Sequence, residues 1–245
     1  MTLASGSTDE YEYTIPNKPD GTQVRYFIYA VDNDANQSYY PQKPISQAMP
    51  NVEHYYVRNN GAKVYDIQYT TNPSGSSPLE GKTVTVTGIV TASTKLYDLG
   101  YVYIQDEGGS EWSGIWCVGI GLSSLYRDEE VTVTGIVEEY FGLTRLNVSA
   151  AVKTGNRAVI APTVIDPTDS AAYANFGWEK WEGVYARYEN PTPNQKLWIS
   201  RENLGFGDYA VGASSTAPLK NSGRILAGRQ ATTAYSSLFV SLIVD

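Results

Sequence analysis

One cysteine and one histidine stand in 245 residues. A single cysteine forms no internal disulfide and no multi-cysteine metal site. Cys117, in Ile115-Trp116-Cys117-Val118, reads as a small buried hydrophobe. His54 has no second imidazole for a two-histidine metal site, and relays pairing an imidazole with a thiol have almost nothing to be built from. Gly-rich phosphate loops and the HExxH, GxSxG and CxxC patterns are also missing. A carboxylate pair for glycoside hydrolysis needs only proximity in space, and nothing in the chain singles one out. Positive charge is scarce: Lys+Arg is 18 against Asp+Glu 26, a net charge of −8 with no basic cluster, which works against binding a phosphate backbone. No run approaches the ~18 apolar residues of a membrane helix, and the longest, Leu238 to Val244, has the length of a strand.

What remains is a globular chain, 42% hydrophobic, with Gly 22, Pro 12 and many short Val/Thr/Tyr runs, a composition that points to an all-β fold. Val84-Thr85-Val86-Thr87-Gly88-Ile89-Val90 is repeated letter for letter as Val131-Thr132-Val133-Thr134-Gly135-Ile136-Val137. Each copy alternates at period two, as a half-buried strand does. The glycine inside each copy marks a bulge or a barrel-corner bend, and Gly88 and Gly135 are expected at equivalent bends of a small closed barrel. Twenty tyrosines suit surfaces that are part wet and part apolar, or cross-strand pairs in exposed sheets.

Residues 1–47 read as hairpins around Pro19-Asp20-Gly21. Ile15-Pro16, Asp20-Gly21-Thr22, Val24, Tyr26, Ile28, Ala30, Asp32 and Asn36 resemble the last strands of bacterial immunoglobulin-like or fibronectin-III-like modules. Such a module needs about seven strands, so the segment is expected to be a partial sandwich. Asp32, Asp34 and Asn36 place oxygens at every second position and are the candidate ligands for calcium; the competing reading is an Asx-rich turn. Residues 48–78 are a connector. Strands follow at Lys82–Ala92, Tyr101–Asp106, Ser113–Val118, Glu129–Glu139 and Arg145–Val152.

Leu79-Glu80-Gly81-Lys82 to Ala92, Tyr101 to Asp106, Trp112 to Ile115 and Val131 to Phe141 with Leu146 resemble the OB-fold-like domains of large secreted bacterial proteins, often found upstream of an extracellular endonuclease or phosphatase domain. The resemblance implies a complete OB-like Greek-key barrel over residues 79–165. Residues 166–179 form a linker with a short helical turn, Ala171–Asn175. Residues 180–245, opening on Trp181-Glu182-Gly183, are expected to be a second OB-like β-domain lacking its closing strands. Both ends read as lying within a domain, so a segment of a longer secreted protein is expected.

The reading with the fewest requirements is a non-catalytic structural or assembly segment of a secreted or surface bacterial protein. It forms a homo-oligomer or filament with copies of itself, or packs on neighbouring domains of a longer chain. The alternative is a ligand-binding accessory module of a secreted nuclease or other hydrolase, with carbohydrate ahead of oligonucleotide because of the charge. Its candidate binding residues are Tyr101, Tyr103, Trp112, Trp116, Tyr140 and Phe141, with Asp106, Glu107 and Asn147 as hydrogen-bonding neighbours. Neither reading requires a catalytic residue or a cofactor other than the calcium considered above, and neither involves membrane insertion.

Overall fold

The computed structural model describes residues 1–40, 53–165 and 179–188, apart from six single positions, and the backbone of residues 198–205, 208–212, 223–226 and 238–244. The helical turn expected at Ala171–Asn175 lies outside the described residues. The chain is all-β and divides into two compact units, residues 1–60 and 61–245.

The first unit consists of short antiparallel pairs: β1 (Thr2–Leu3) with β2 (Tyr11–Glu12), β3 (Gln23–Tyr26) with β6 (Glu53–Tyr56), and β4 (Ile28–Val31) with β5 (Gln37–Tyr40). The Pro19-Asp20-Gly21 turn is tied to the end of β6, since the Asp20 carboxylate accepts the Asn59 N–H at 2.7 Å and Gly21 N–H donates to Val57 O at 2.8 Å. Among the described residues of this unit no side chain is buried.

The second unit begins with α1 (Val64–Gln68) and continues with β7 (Thr83–Ala92), β8 (Val102–Gln105), β9 (Gly114–Gly119), β10 (Glu129–Tyr140) and β11 (Leu143–Arg157). These five strands close a barrel in the order β10-β11-β9-β8-β7. Within the barrel the β9–β11 contact is parallel and the others are antiparallel. Beyond the barrel come β12 (Thr163–Ile165), β13 (Tyr185–Tyr188), β14 (Trp198–Gly205), β15 (Asp208–Gly212), β16 (Gly223–Leu226) and β17 (Leu238–Val244). A four-stranded sheet runs β12-β13-β17-β16, and β14 pairs with β15.

The repeated heptapeptide explains the centre of the barrel. Its two copies lie antiparallel on each other, with Val86 opposite Val133, Val84 opposite Gly135 and Gly88 opposite Val131. The segment is therefore its own partner about a local two-fold. The valines go inward, all of them buried except the half-buried Val84, whereas Thr85 pairs with Thr134 and Thr87 with Thr132 across the outer face, hydroxyl to hydroxyl at 2.8 Å each. Such cross-strand pairs favour this register by tenths of a kcal/mol each. Slippage by one residue would turn every valine to water.

Val86, Val90, Val102, Ile104, Ile115, Cys117, Val131, Val133, Val137, Leu146 and Val148 form the core, joined by Val64 and Ile67 of α1 and by Leu122 and Leu125 of the β9–β10 connection. Burial pushes the Cys117 thiol up to about 12, as befits a packing residue. Among the described residues no helix is long and apolar enough to cross a membrane.

Candidate ligand-binding surface

Because Ile115 and Cys117 point into the core, Trp116 between them must face outward. Its cross-strand neighbours are Tyr103 on β8 and Arg145 on β11. Tyr101 leads into β8 and meets the Trp116 ring edge-on at 5.8 Å. Tyr140 ends β10 and meets the same ring from the other side at 6.0 Å. Phe141 then stands edge-on to Tyr140 at 4.7 Å. Four of the six aromatic candidates thus form one continuous strip, with Tyr101 45%, Tyr140 43% and Phe141 80% exposed.

The end of this strip rests on an uncommon turn. Tyr140 pairs with Leu143, so the β10–β11 hairpin turns through Phe141-Gly142 alone, with φ of 53° and 80°. Two residues at positive φ make the primed turn that suits the twist of a hairpin. The first is normally Asn, Asp or Gly, and a phenylalanine there costs on the order of 1 kcal/mol in strain. The result is a large apolar ring held out in water.

Arg145 completes the surface. Its guanidinium carbon lies 3.9 Å from the Tyr140 ring centroid and 5.3 Å from that of Trp116. Nε and Nη2 both reach Glu138 Oε2 at 3.0 Å, and the Asn147 amide donates to Glu138 Oε1 at 2.8 Å. These donors, Asn147 first and Arg145 after it, hold the Glu138 carboxyl below its ordinary value. The Trp116 indole N–H is buried without an acceptor, so the ring is fixed by its neighbours and not by a hydrogen bond.

The other two candidates are elsewhere. Tyr103 shares the outward face with Tyr101 but is 0% exposed, and burial pushes its phenol far up. Trp112, at φ 62°, is buried with its ring edge-on to Tyr69 at 5.7 Å. A strap formed by the 3-10 turn Glu179–Trp181 and the start of β13 crosses this part of the barrel. Trp112 N–H donates to Lys180 O at 2.6 Å, and Tyr185 N–H to the Gln105 side chain at 2.8 Å. Gly114 and Gly183 meet backbone to backbone: a Cβ on Gly114 would lie 2.2 Å from the Gly183 carbonyl oxygen.

The polar neighbours serve the fold. Asp106 accepts the Val64 and Tyr65 N–H groups at 2.9 Å each, which caps α1, and Asn147 is engaged with Glu138. Glu107 is exposed. In the β4–β5 turn, Asp32 accepts the Asp34 and Asn36 N–H groups through Oδ1 and the Asn36 amide through Oδ2, with Ala35 at φ 64°. Both oxygens of the candidate calcium ligand Asp32 are therefore occupied within an Asx turn. Among the described residues no group of three His, Cys, Asp or Glu side chains is placed to hold a metal ion. His54 meets Tyr56 edge-on at 6.1 Å in β6.

Arg145 and Glu138 were not singled out by the sequence, although a signal existed. A two-residue turn at Phe141-Gly142 makes Glu138 and Arg145 partners, and both fall in the outward row. No family model matches the sequence, and no curated protein matches it.

Proposed function

We propose that this chain is a non-catalytic, ligand-binding module of a secreted or surface-exposed bacterial protein, which holds carbohydrate on the Tyr101–Trp116–Tyr140–Phe141 strip. The observation that carries this reading is Phe141, 80% exposed on a turn residue that favours other side chains. Folding gains only the edge-on contact with Tyr140 from an exposed ring at positive φ, whereas a sugar gains an apolar face to stack on. Arg145 adds donors, but its charge is offset by Glu138, and the whole chain carries −8, so an uncharged ring suits the strip better than a phosphodiester. The closed five-stranded barrel supports the resemblance to OB-fold-like domains of large secreted bacterial proteins, and the paired strands of residues 1–60 suit the end of an immunoglobulin- or fibronectin-III-like module. With the sole cysteine buried and one histidine present, the module is best read as serving a catalytic domain rather than being one.

Binding of soluble oligosaccharides, followed by tryptophan fluorescence, tests the proposal. Trp116→Ala is expected to weaken binding at least tenfold, about 1.4 kcal/mol or more, and Phe141→Ala somewhat less. Single-stranded DNA near physiological salt is expected to bind only weakly. Binding unchanged in both variants would exclude the strip.

An assembly role is the second reading, and one observation favours it. Tyr11, Tyr13, Tyr40 and Val31 are at least half exposed in a unit without a buried side chain among its described residues. A β-layer is stable when one face is covered, and another copy of the chain would cover it. Sedimentation of the chain at micromolar concentration is then expected to show an oligomer, and a lone monomer would dismiss this reading.

A further inference from the structure

The strap over the barrel is anchored by a carboxyl that no cation among the described residues answers. Glu182 is 1% exposed. Its Oε1 accepts the Thr144 N–H of β11 at 2.8 Å and the Gln68 amide of α1 at 3.3 Å, while Gln68 also donates to Gly114 O at 2.6 Å. Its Oε2 is buried without a hydrogen-bond donor.

The groups around it are of one sign. Glu179 lies beside it on the strap, close enough for a carboxyl–carboxyl hydrogen bond, and Glu139 of β10 faces both. Glu139 accepts the Ser77 N–H at 2.8 Å and the Thr144 hydroxyl at 2.7 Å. From β8 comes the neutral phenol of Tyr103, from α1 the uncharged Gln68, and from β11 the uncharged Thr144. The one cation on the strap's first turn, Lys180, is engaged with Glu111 at 2.8 Å. An isolated buried carboxylate is costly enough that it takes up a proton instead. On Oε2 that proton needs an acceptor, and Glu179 is the one at hand.

The geometry points to a proton-operated latch: Glu182 and Glu179 share a proton that holds the strap Glu179–Tyr188 on the outer face of β8 and β9, and losing that proton releases it. Release uncovers Tyr103, Gln105 and Trp112 next to the aromatic strip. The latch stands whether or not the strip binds sugar.

The sign follows from burial and like charge. Burial first, and Glu139 second, push Glu179 up to about 7; burial, then Glu179, pushes Glu182 well above the ordinary carboxylate range. Both groups hold protons more tightly docked than released, so the docked form is favoured at acid pH and weakens as pH rises through about 7.

Hydrogen exchange of the full chain by NMR, corrected for the intrinsic pH dependence of exchange, reads this directly. The reporters are the amides of Trp112 and Tyr185, which donate to Lys180 O and to Gln105 across the contact. Their protection is expected to fall at least tenfold between pH 5 and pH 8.5, while that of Val133 in the barrel stays constant. Glu182→Gln retains a donor toward Glu179 and an acceptor toward Thr144, and is expected to keep both reporters protected across the range. A flat profile in the unmodified chain overturns the latch, whether or not the variant folds. So does an unaltered pH dependence in Glu182→Gln.

Discussion

Gly135→Ala is expected to destabilise the barrel by about 3 kcal/mol, the upper range for an overpacked site, whereas Gly88→Ala costs about 1 kcal/mol or less. The two glycines hold the same place in the repeat, and their surroundings differ. A Cβ on Gly135 would lie 2.4 Å from the Asn147 carbonyl oxygen and 2.8 Å from its carbon. This is where β10 and β11 shift register, between Thr134 and Gly135. β11 has little room to retreat, since Asn147 and Val148 are also paired with Val118 and Gly119 of β9. On Gly88 the nearest atom would be the Gln105 carbonyl oxygen at 3.1 Å, which a shift of a few tenths of an ångström relieves. Urea denaturation of the two variants checks the order. Equal losses, or a larger loss for Gly88→Ala, would contradict the close approach at β11.

The contrast marks how far the sequence could be read. The repeat, its alternation and the two glycines were enough to expect a small closed barrel with valines inside. They could not show that the copies pair with each other, because antiparallel self-pairing and separate placement demand the same alternation. In the barrel, strand limits followed from composition to within a residue or two, except that β11 runs on to Arg157, where exposed polar residues give no hydrophobic signal; outside it, β6 fell within what read as a connector. α1 fell inside what read as a connector, since five residues carry no helical period. The pairing of β3 with β6 joins Gln23 to Tyr56 across a long separation and has no local signature.

The site was legible to the same depth. Tyr101, Trp116, Tyr140 and Phe141 were named from the sequence as binding residues and the fold gathers them. Tyr103 sits in the same outward row as Tyr101. Alternation tells which way a residue leaves the barrel, but not what arrives from elsewhere to cover it. Gly114 and Gln105 decide that, through a backbone contact with Gly183 and a hydrogen bond from Tyr185 of the strap, 80 residues beyond Gln105.

Asp106 is the clearest case of a residue whose chemistry was legible and whose partner was not, and its removal is expected to cost about 3 kcal/mol. It stands after β8, acidic and beside the aromatic residues, where a ligand's hydroxyl would suit it. Instead its two oxygens accept the N–H groups of Val64 and Tyr65, one each at 2.9 Å. Those are donors of the first turn of α1, and they have no partner within the helix. Asp106→Ala leaves both without an acceptor, at about 1–3 kcal/mol for a buried group and less for one that water can reach. Val64 is buried and Tyr65 half-buried, so the first carries most of the loss. Since Val64 and Ile67 belong to the barrel core, loosening the helix also exposes apolar surface. Asp106→Asn keeps one accepting oxygen and turns an NH2 group toward the second donor, so about half the loss should remain. Denaturation midpoints for the two variants, with exchange at the Val64 and Tyr65 amides, check both statements. An Asp106→Ala chain as stable as the original, with those amides still protected, would show that α1 is held by its apolar side chains alone.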